Sequence, residues 1–314
     1  MEYFPLGKSR DRVSVIGFGG WAIGGHGYGK VDDAQSIAAI RKALDLGITL
    51  FDTADVYGFG HSEEVLSKAL GDRIKDVVVS TKFGVRWNDS GRTYKDCSVE
   101  YIRKALEGSL RRLRTDCITL YQLHWHDGVT PLQDIFEALY RFQEEGKVRH
   151  IGCSNIPSSV FREVAVSGKV VSTQLQFSLG CCLSSSDLVA YQKQYGMATL
   201  VYGVLMRGLL SGKYGRESRF GENDTRGESP DFTDTMERCE VIVDALKKVA
   251  DRYGKTPSQV AVRWVLENPW VSCALVGIKD EQQVLENSGA VGWRMDKQDR
   301  DYLSSLGWDA SSMA

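Results

Sequence analysis

Short runs rich in Val, Ile and Thr alternate with longer amphipathic segments along this chain. This alternation restricts the possible folds more than any other feature. Eight of the runs have the length and composition of buried strands, and eight strands alternating with helices predict parallel β/α units. The predicted strands are residues 13–16, 49–52, 77–81, 118–123, 148–153, 172–177, 198–202 and 273–276.

The segments between these runs have apolar residues at helical spacing, and turn or capping residues mark their ends. Thr130 and Thr256 each precede a proline, a pattern that places threonine at the N-cap. Gly47, Gly146 and Gly196 follow predicted helix ends, where a left-handed residue is expected. The predicted helices are residues 33–46, 62–70, 98–113, 132–144, 158–166, 184–195, 235–253, 257–267 and 281–290.

Regular β/α units without a linker favour a closed barrel over the alternative, a doubly wound sheet. A length of 314 residues would permit two domains, but closed barrels of ~250 residues or more form one unit. We therefore predict one domain over residues 1–314, a (β/α)8 TIM barrel. Runs at 3–6 and 12–15 predict an N-terminal β-hairpin that caps the barrel bottom. Residues 83–96 and 214–233 would form long loops at the C-terminal face, where active sites lie.

Charge and composition exclude several classes of protein. The chain has 39 basic and 41 acidic residues, so nothing favours a nucleic acid as partner. No apolar run approaches ~18 residues, and the N-terminus lacks a signal-peptide pattern, so no membrane association is expected. Seven cysteines without a Cys-x-x-Cys pair indicate reduced thiols and a cytoplasmic location. No His-x-x-x-His pair occurs, and no metal site is predicted.

Polar residues end, or closely follow, three successive predicted strands. Asp52 ends one strand and Tyr57 lies in the loop beyond it, while Lys82 and His124 follow the next two. The carboxyl ends of barrel strands meet at one face, so these side chains can converge there. Spacing alone leaves open the simpler reading of turn, capping and packing residues.

Together, these four side chains suit proton exchange with a substrate. The pKa of an ordinary tyrosine is about three units above neutrality, a mismatch of roughly 4 kcal/mol. A nearby Lys82 ammonium would lower the pKa of Tyr57, and Asp52 would keep that ammonium charged and oriented. A neutral His124 could donate a hydrogen bond to a substrate carbonyl.

Six stretches, in order along nearly the whole chain, resemble the aldo-keto reductase family. The most specific is Asp-Thr-Ala-Asp-Val-Tyr-Gly at residues 52–58, followed by Ser62-Glu63. The others are residues 17–25, 123–125, 152–155, 202–213 and 276–279, the last with Gln283, Glu286 and Asn287.

The resemblance implies a barrel that binds NADP(H) and transfers a hydride to an aldehyde or ketone, reversibly. Tyr57 would be the general acid, supported by Asp52, Lys82 and His124. Ser154, Asn155 and Gln174 would hold the nicotinamide carboxamide, and Tyr202 would stack on the ring. The remaining cofactor-binding residues implied are Gly20, Trp21, Asp52, Gly203, Leu205, Arg207, Gly208, Leu210, Gly212, Lys213, Gly277, Lys279, Gln283, Glu286 and Asn287.

For the substrate, Trp21, Trp87 and Trp125, together with Tyr57 and His124, would form the binding wall. Phe83 and Trp293 are further candidates for that wall. Lys279 stands where this branch of the family often has arginine. Two other functions stay open: a non-catalytic NADP(H)-sensing subunit, and a redox-neutral isomerase or epimerase that uses bound NADP.

Overall fold

The computed structural model describes residues 1–165, 168–181, 186–221 and 224–308. Eight of its strands are parallel and close into a barrel, and the other four form two small hairpins. The strands are β1 Tyr3–Pro5, β2 Arg12–Ser14, β3 Ile16–Gly19, β4 Leu50–Asp52, β5 Val78–Phe83, β6 Val85–Trp87, β7 Thr93–Lys95, β8 Ile118–Leu123, β9 Val148–Ser154, β10 Val170–Gln176, β11 Ala198–Tyr202 and β12 Cys273–Gly277.

The barrel order is β3, β4, β5, β8, β9, β10, β11 and β12, with β12 pairing back onto β3. Helices connect the strands on the outside, which confirms the predicted TIM barrel. The helices are α1 Asp33–Asp45, α2 His61–Leu70, α3 Val99–Leu113, α4 Leu132–Glu144, α5 Ser158–Ala165, α6 Ser186–Tyr195, α7 Pro230–Thr233, α8 Met236–Tyr253, α9 Pro257–Leu266, α10 Glu281–Ser288 and α11 Lys297–Leu306.

The first predicted barrel strand is wrong by three residues. Residues 12–14 pair antiparallel with residues 3–5, so they belong to the predicted N-terminal hairpin, and the barrel strand begins at Ile16. Its glycines give it the composition of a loop. Gly17 leaves room there for Leu275, since an added Cβ would lie 2.6 Å from a methyl group of that side chain. The other seven predicted strands are confirmed within a few residues at each end.

Only one of the two Thr-Pro helix starts behaves as predicted. Thr256 caps α9 with a reciprocal hydrogen bond to Gln259, and Pro257 is the first helical residue. The start of α4 has Pro131 at the N-cap and no side-chain cap. Thr130 instead donates its hydroxyl to Asp127, which holds a turn of the preceding loop. An acceptor three residues upstream therefore displaced the expected cap.

The predicted helix-end glycines Gly47, Gly146 and Gly196 all have left-handed backbone, with φ of 82°, 73° and 60°. Residue 166 of one predicted helix and residues 184 and 185 of another lie outside the described residues. The helix α11 was not predicted from the sequence, since charged residues hide its single buried position, Leu303.

Apolar packing occurs in two layers, inside the barrel and between the barrel and its helices. The N-terminal hairpin closes the barrel bottom, because Leu6 and Val13 are fully buried among Leu50 and Leu120 of the barrel interior. Part of the predicted loop 83–96 forms the hairpin β6–β7 above the opposite, C-terminal face. Residues 222 and 223 of the loop 214–233 lie outside the described part. No helix within the described residues is long and apolar enough to cross a membrane.

Candidate active site

An ion pair lies at the carboxyl ends of two neighbouring barrel strands. The Nζ atom of Lys82, on β5, is 2.6 Å from Oδ2 of Asp52, the last residue of β4. Lys82 also donates to the carbonyl oxygen of Thr53, at 2.9 Å. Both side chains are almost completely buried, so solvent screens this pair little. The strand order therefore brings together two of the four predicted catalytic residues.

The second oxygen of the Asp52 carboxylate is held by uncharged donors. Its Oδ1 accepts hydrogen bonds from the Ser80 hydroxyl at 2.9 Å and from the Gln174 amide at 2.8 Å. Gln122 in turn donates to the Ser80 oxygen. Gln174 was predicted to hold the nicotinamide carboxamide, and in this structure its Nε2 is bonded to Asp52. Ser80 and Gln122 were not singled out from the sequence, because a polar residue facing a barrel interior gives no periodic signal.

Tyr57 lies in the turn that connects β4 to α2. The turn passes against the loop after β3, and Gly58 allows this contact, with φ of 61°. A Cβ at Gly58 would lie 1.8 Å from the carbonyl oxygen of Gly24. The Tyr57 ring is 5.2 Å from Nζ of Lys82 and 5.8 Å from the ring of His124. All four predicted catalytic side chains thus converge at the barrel mouth.

The protonation states differ in one respect from the prediction. Burial, followed by the charge of Asp52, raises the pKa of Tyr57 well above its usual value, so Tyr57 is a phenol. The net lowering predicted from Lys82 is wrong, because burial and then the charge of Asp52 outweigh the attraction of the Lys82 ammonium, which lies 5.2 Å from the Tyr57 ring. Burial lowers the pKa of Lys82, and Asp52 opposes that change. Burial and then Lys82 lower the pKa of His124 well below its usual value, which keeps the imidazole neutral.

A polar chain continues from His124 across the barrel mouth. Asn155, which has left-handed backbone, donates to the carbonyl oxygen of His124 at 3.1 Å and to the Ser154 hydroxyl. The Tyr202 hydroxyl donates to Oδ1 of Asn155 at 2.7 Å. Nδ1 of His124 is buried without a hydrogen-bond partner among the described residues. Three residues predicted to contact the nicotinamide, Ser154, Asn155 and Tyr202, therefore form one cluster beside His124.

Two more predicted cofactor residues lie beside Asp52, on the loop after β3. Gly20 donates its amide to the carbonyl oxygen of Asp52 at 2.7 Å. A Cβ at Gly20 would lie 2.9 Å from that same oxygen and 2.9 Å from the Ser62 hydroxyl. Trp21 follows, with its ring stacked on Tyr57 at 6.0 Å.

The segment after β11 has the backbone of a tight, glycine-rich turn. Gly203, Gly208 and Gly212 have φ of 70°, 102° and 73°, and Arg207 is left-handed as well. The Arg207 guanidinium lies 5.0 Å from the centre of the Trp21 ring. The other predicted residues of this segment differ in exposure: Leu210 is fully buried, Leu205 is half-buried and Lys213 is exposed.

The third group of predicted cofactor residues surrounds the start of α10. Lys279 donates its ammonium to the carbonyl oxygen of Tyr28, and its own amide donates to Gln283. Gly277 is exposed at the end of β12, and a Cβ there would touch nothing within 4 Å. Glu286 accepts from Thr256 at 3.0 Å, and Asn287 is buried.

Sequence reasoning missed the charged neighbours of Lys279. Arg226 forms a two-pronged ion pair with Asp224 and donates to the Tyr214 hydroxyl. Its charge, after burial, lowers the pKa of Lys279. The Thr225 amide donates to Gly27, so this loop crosses to the loop after β3. A charged pair within a long loop has no sequence pattern that predicts such a crossing.

Aromatic side chains form one side of the barrel mouth. Trp21 and Trp125 are among the more exposed large apolar residues, at 37% and 39% exposure. The Trp125 ring lies 6.5 Å from His124, and Trp87 lies 5.8 Å from Phe59, the residue two positions after Tyr57. The prediction that Phe83 and Trp293 also belong to this wall is wrong.

Phe83 is fully buried against Tyr121 behind the barrel strands. Trp293 packs on Tyr253 of α8. Both residues therefore contribute to packing, away from the mouth.

Comparison with known proteins agrees with this fold. The model of the aldo/keto reductase family matches residues 15–307. The aldo-keto reductase YhdN of Bacillus subtilis is 36% identical over 98% of this chain and 93% of its own length. The aldo-keto reductase yakc [NADP(+)] of Schizosaccharomyces pombe is 33% identical over 90% of this chain and 84% of its own.

Among solved structures, the glycerol dehydrogenase AKR11B4 from Gluconobacter oxydans is 34% identical and superposes with a TM-score of 0.86. That alignment covers 97% of this chain and 94% of the other. The chain belongs to the aldo-keto reductase family, whose members are oxidoreductases that act on carbonyl compounds. The predicted family and barrel are thereby confirmed.

Proposed function

We propose that this protein is a single-domain, NADP(H)-dependent oxidoreductase that reduces aldehydes or ketones to alcohols, with Tyr57 as the proton donor. The observation that supports this most strongly is the convergence of Tyr57, His124 and the buried Asp52–Lys82 pair at one barrel mouth. Each of the four residues comes from a different point of the chain.

Tyr57 has the properties of a general acid. Its hydroxyl is protonated at neutral pH, since the ordinary pKa of tyrosine already lies above neutrality and burial and then Asp52 raise the pKa of Tyr57 further. As a carbonyl carbon is reduced, charge develops on the carbonyl oxygen, and the Tyr57 proton moves to that oxygen. The Lys82 ammonium, 5.2 Å from the Tyr57 ring, stabilises the phenolate that this transfer leaves.

His124 and Asp52 prepare the site for that proton transfer. A neutral imidazole adds no positive charge beside Lys82 and can donate one hydrogen bond to the substrate oxygen. Asn155 holds the His124 backbone at 3.1 Å. Asp52 fixes Lys82 through a 2.6 Å contact, so the ammonium cannot turn away from Tyr57.

The residues present fit a dinucleotide cofactor. Amide, hydroxyl and phenol groups of Ser154, Asn155 and Tyr202 suit a carboxamide and an aromatic ring. Left-handed glycines next to Lys213 suit close approach of a pyrophosphate. Lys279 near Arg226 suits an extra phosphate, which supports NADP(H). When bound, the cofactor supplies the hydride that reduces the carbonyl carbon.

The same groups serve alcohol oxidation, since the Tyr57 phenolate can take back the proton. A solved relative is named a glycerol dehydrogenase, and this supports a reversible reaction. The partly exposed Trp21, Trp87 and Trp125 favour a substrate with an apolar or flat face next to its carbonyl group.

The proposal is tested by following NADPH oxidation with a panel of aldehydes and ketones, using the wild-type protein and Tyr57→Phe. We expect turnover with several carbonyl compounds and a loss of roughly 10²- to 10⁴-fold in kcat for the variant. NADPH binding, measured by fluorescence titration, should be retained. Absence of turnover with every compound, or equal rates for both proteins, would overturn the proposal.

A further inference from the structure

A second ion pair, buried behind the catalytic centre, plays no part in the proton transfer described above. Nε of Arg112, on α3, lies 2.6 Å from Oε2 of Glu63, in the first turn of α2. Glu63 is completely buried, and its Oε1 accepts a 2.6 Å hydrogen bond from the Thr81 hydroxyl. Burying a charged carboxylate costs free energy, so the presence of this ion pair in the interior has to be explained by a role other than keeping the surface soluble.

A contact of Glu63, and one of its chain neighbour Ser62, lead to two of the proposed catalytic residues. Thr81 immediately precedes Lys82 on β5, so its hydrogen bond fixes the strand where the ammonium originates. On the other side, the residue before Glu63, Ser62, donates its amide to the carbonyl oxygen of Tyr57 at 3.2 Å. Glu63 therefore connects the backbone of Tyr57 to the backbone of Lys82.

Arg112 holds the same turn from outside. A Cβ at Gly60, three residues after Tyr57, would lie 2.6 Å from Cδ of Arg112, so the guanidinium stem packs directly on this turn. The φ of Gly60 is 101°, a conformation that glycine adopts readily. Further contacts brace the turn from the strand side: Ser62 donates to the Gly20 carbonyl, and the Asp55 amide donates to the Lys82 carbonyl.

We propose that Glu63 and Arg112 are positioning residues that set the place of Tyr57 relative to Lys82. This inference rests on the proposed function. Neither residue reaches the barrel mouth through any of the contacts above. They influence the position of Tyr57 and Lys82 through Thr81, Ser62 and Gly60. Their loss should therefore lower the rate of the chemical step. A displacement of about 1 Å at a reacting group can cost roughly 100-fold in rate.

The test compares Glu63→Gln with Glu64→Gln. Glu64 is the next residue of α2 and is exposed, so its variant controls for loss of one carboxylate in the same turn. In Glu63→Gln the new side chain can still accept from Thr81, but its amide nitrogen presents a donor to Arg112. We expect kcat to fall roughly 10- to 100-fold in Glu63→Gln, while the KM for an aldehyde and the Kd for NADPH stay within about threefold. Glu64→Gln should match the wild type.

A second pair of variants addresses the guanidinium. Arg112→Lys keeps the charge and should retain more of kcat than Arg112→Met, which leaves Glu63 without a counter-ion. Should Glu63→Gln fail to fold, Arg112→Met decides by the same criteria. A folded Glu63→Gln or Arg112→Met variant with kcat reduced less than about fivefold overturns the inference. So does a parallel loss of kcat, NADPH affinity and near-ultraviolet circular dichroism, which indicates general loosening. A wild-type protein inactive on every carbonyl compound would instead overturn the proposed function.

Discussion

Lys82 and Asp52 face each other at 2.6 Å with almost no solvent contact, on adjacent strands of a closed barrel. The pair contributes to stability as well as to the proposed activity, because removing either charge leaves the other buried and unpaired. We expect Lys82→Met to lower the free energy of unfolding by about 3–5 kcal/mol. The double variant Asp52→Asn/Lys82→Met should lose less, since no lone charge remains. Urea unfolding of the three proteins measures this; a double variant less stable than Lys82→Met would contradict it.

In the same variants, reductase activity should not recover together with stability. The double variant restores a neutral site without an ammonium near Tyr57, so its reductase activity should stay low even where its stability recovers. Rates measured well below each unfolding midpoint test this expectation. Recovery of kcat to the wild-type value in the double variant would show that Lys82 has no role beyond packing.

A pH-dependent loss of stability is expected from Asp55, two residues before Tyr57. Burial, and then the charge of Glu63, raise the pKa of Asp55 well above its ordinary value of 3.8. The folded state therefore keeps a proton that the unfolded state releases above pH 3.8, and stability falls as pH rises from there to the folded-state pKa. The slope reaches at most about 1.4 kcal/mol per pH unit.

Asp55→Asn removes this dependence, because the amide stays neutral at every pH. We expect the stability of the variant relative to the wild type to increase steadily from about pH 4 upward. Chemical denaturation at about pH 4.5, 6 and 7.5 measures the difference, with Asp45→Asn, an exposed carboxylate, as the control. A difference that does not change with pH would show that Asp55 is ionised in the folded protein.

Gly58 should be intolerant of any side chain. A Cβ there would meet the Gly24 carbonyl oxygen at 1.8 Å, so Gly58→Ala has to displace the turn that contains Tyr57. We expect both thermal stability and kcat to fall. Gly128→Ala is the matched control: its φ is 82°, yet nothing lies within 4 Å of the added carbon. The control should lose only about 1–2 kcal/mol of stability from left-handed backbone. Equal losses in the two variants would refute the steric argument.

Lys279 should determine the preference for the phosphorylated cofactor. Under the proposed function, its half-buried ammonium, close to Arg226, would pair with the added phosphate of NADPH. We expect Lys279→Met to weaken NADPH binding by roughly 10-fold or more and to leave NADH binding within about twofold. Lys68→Met, on the exposed face of α2, is the control. Equal weakening of both cofactors would place Lys279 outside the contact with the phosphate.

The barrel and the face on which Asp52, Tyr57, Lys82 and His124 meet were predictable because their signals are local and repeat along the chain. Buried strands such as Ile118–Leu123 consist mainly of apolar and β-branched residues. A polar residue that ends or follows such a strand lies at the C-terminal face of the barrel. The strand Ile16–Gly19 escaped prediction because its glycines respond to neighbours distant in sequence, Leu275 among them. Charge states depend on such neighbours too. The pKa of Tyr57 follows from burial and from Asp52, and spacing along the chain encodes neither.

The central claim is that a hydride passes between NADPH and a carbonyl carbon while Tyr57 supplies the proton. It is tested most directly with NADPH that has deuterium at both C4 positions, incubated with a reactive aldehyde. We predict one deuterium on the carbinol carbon of the alcohol and one NADP⁺ per alcohol formed, with Tyr57→Phe forming neither at a comparable rate. Conversion of the substrate with the deuterium still in the cofactor would contradict the claim and indicate a redox-neutral reaction.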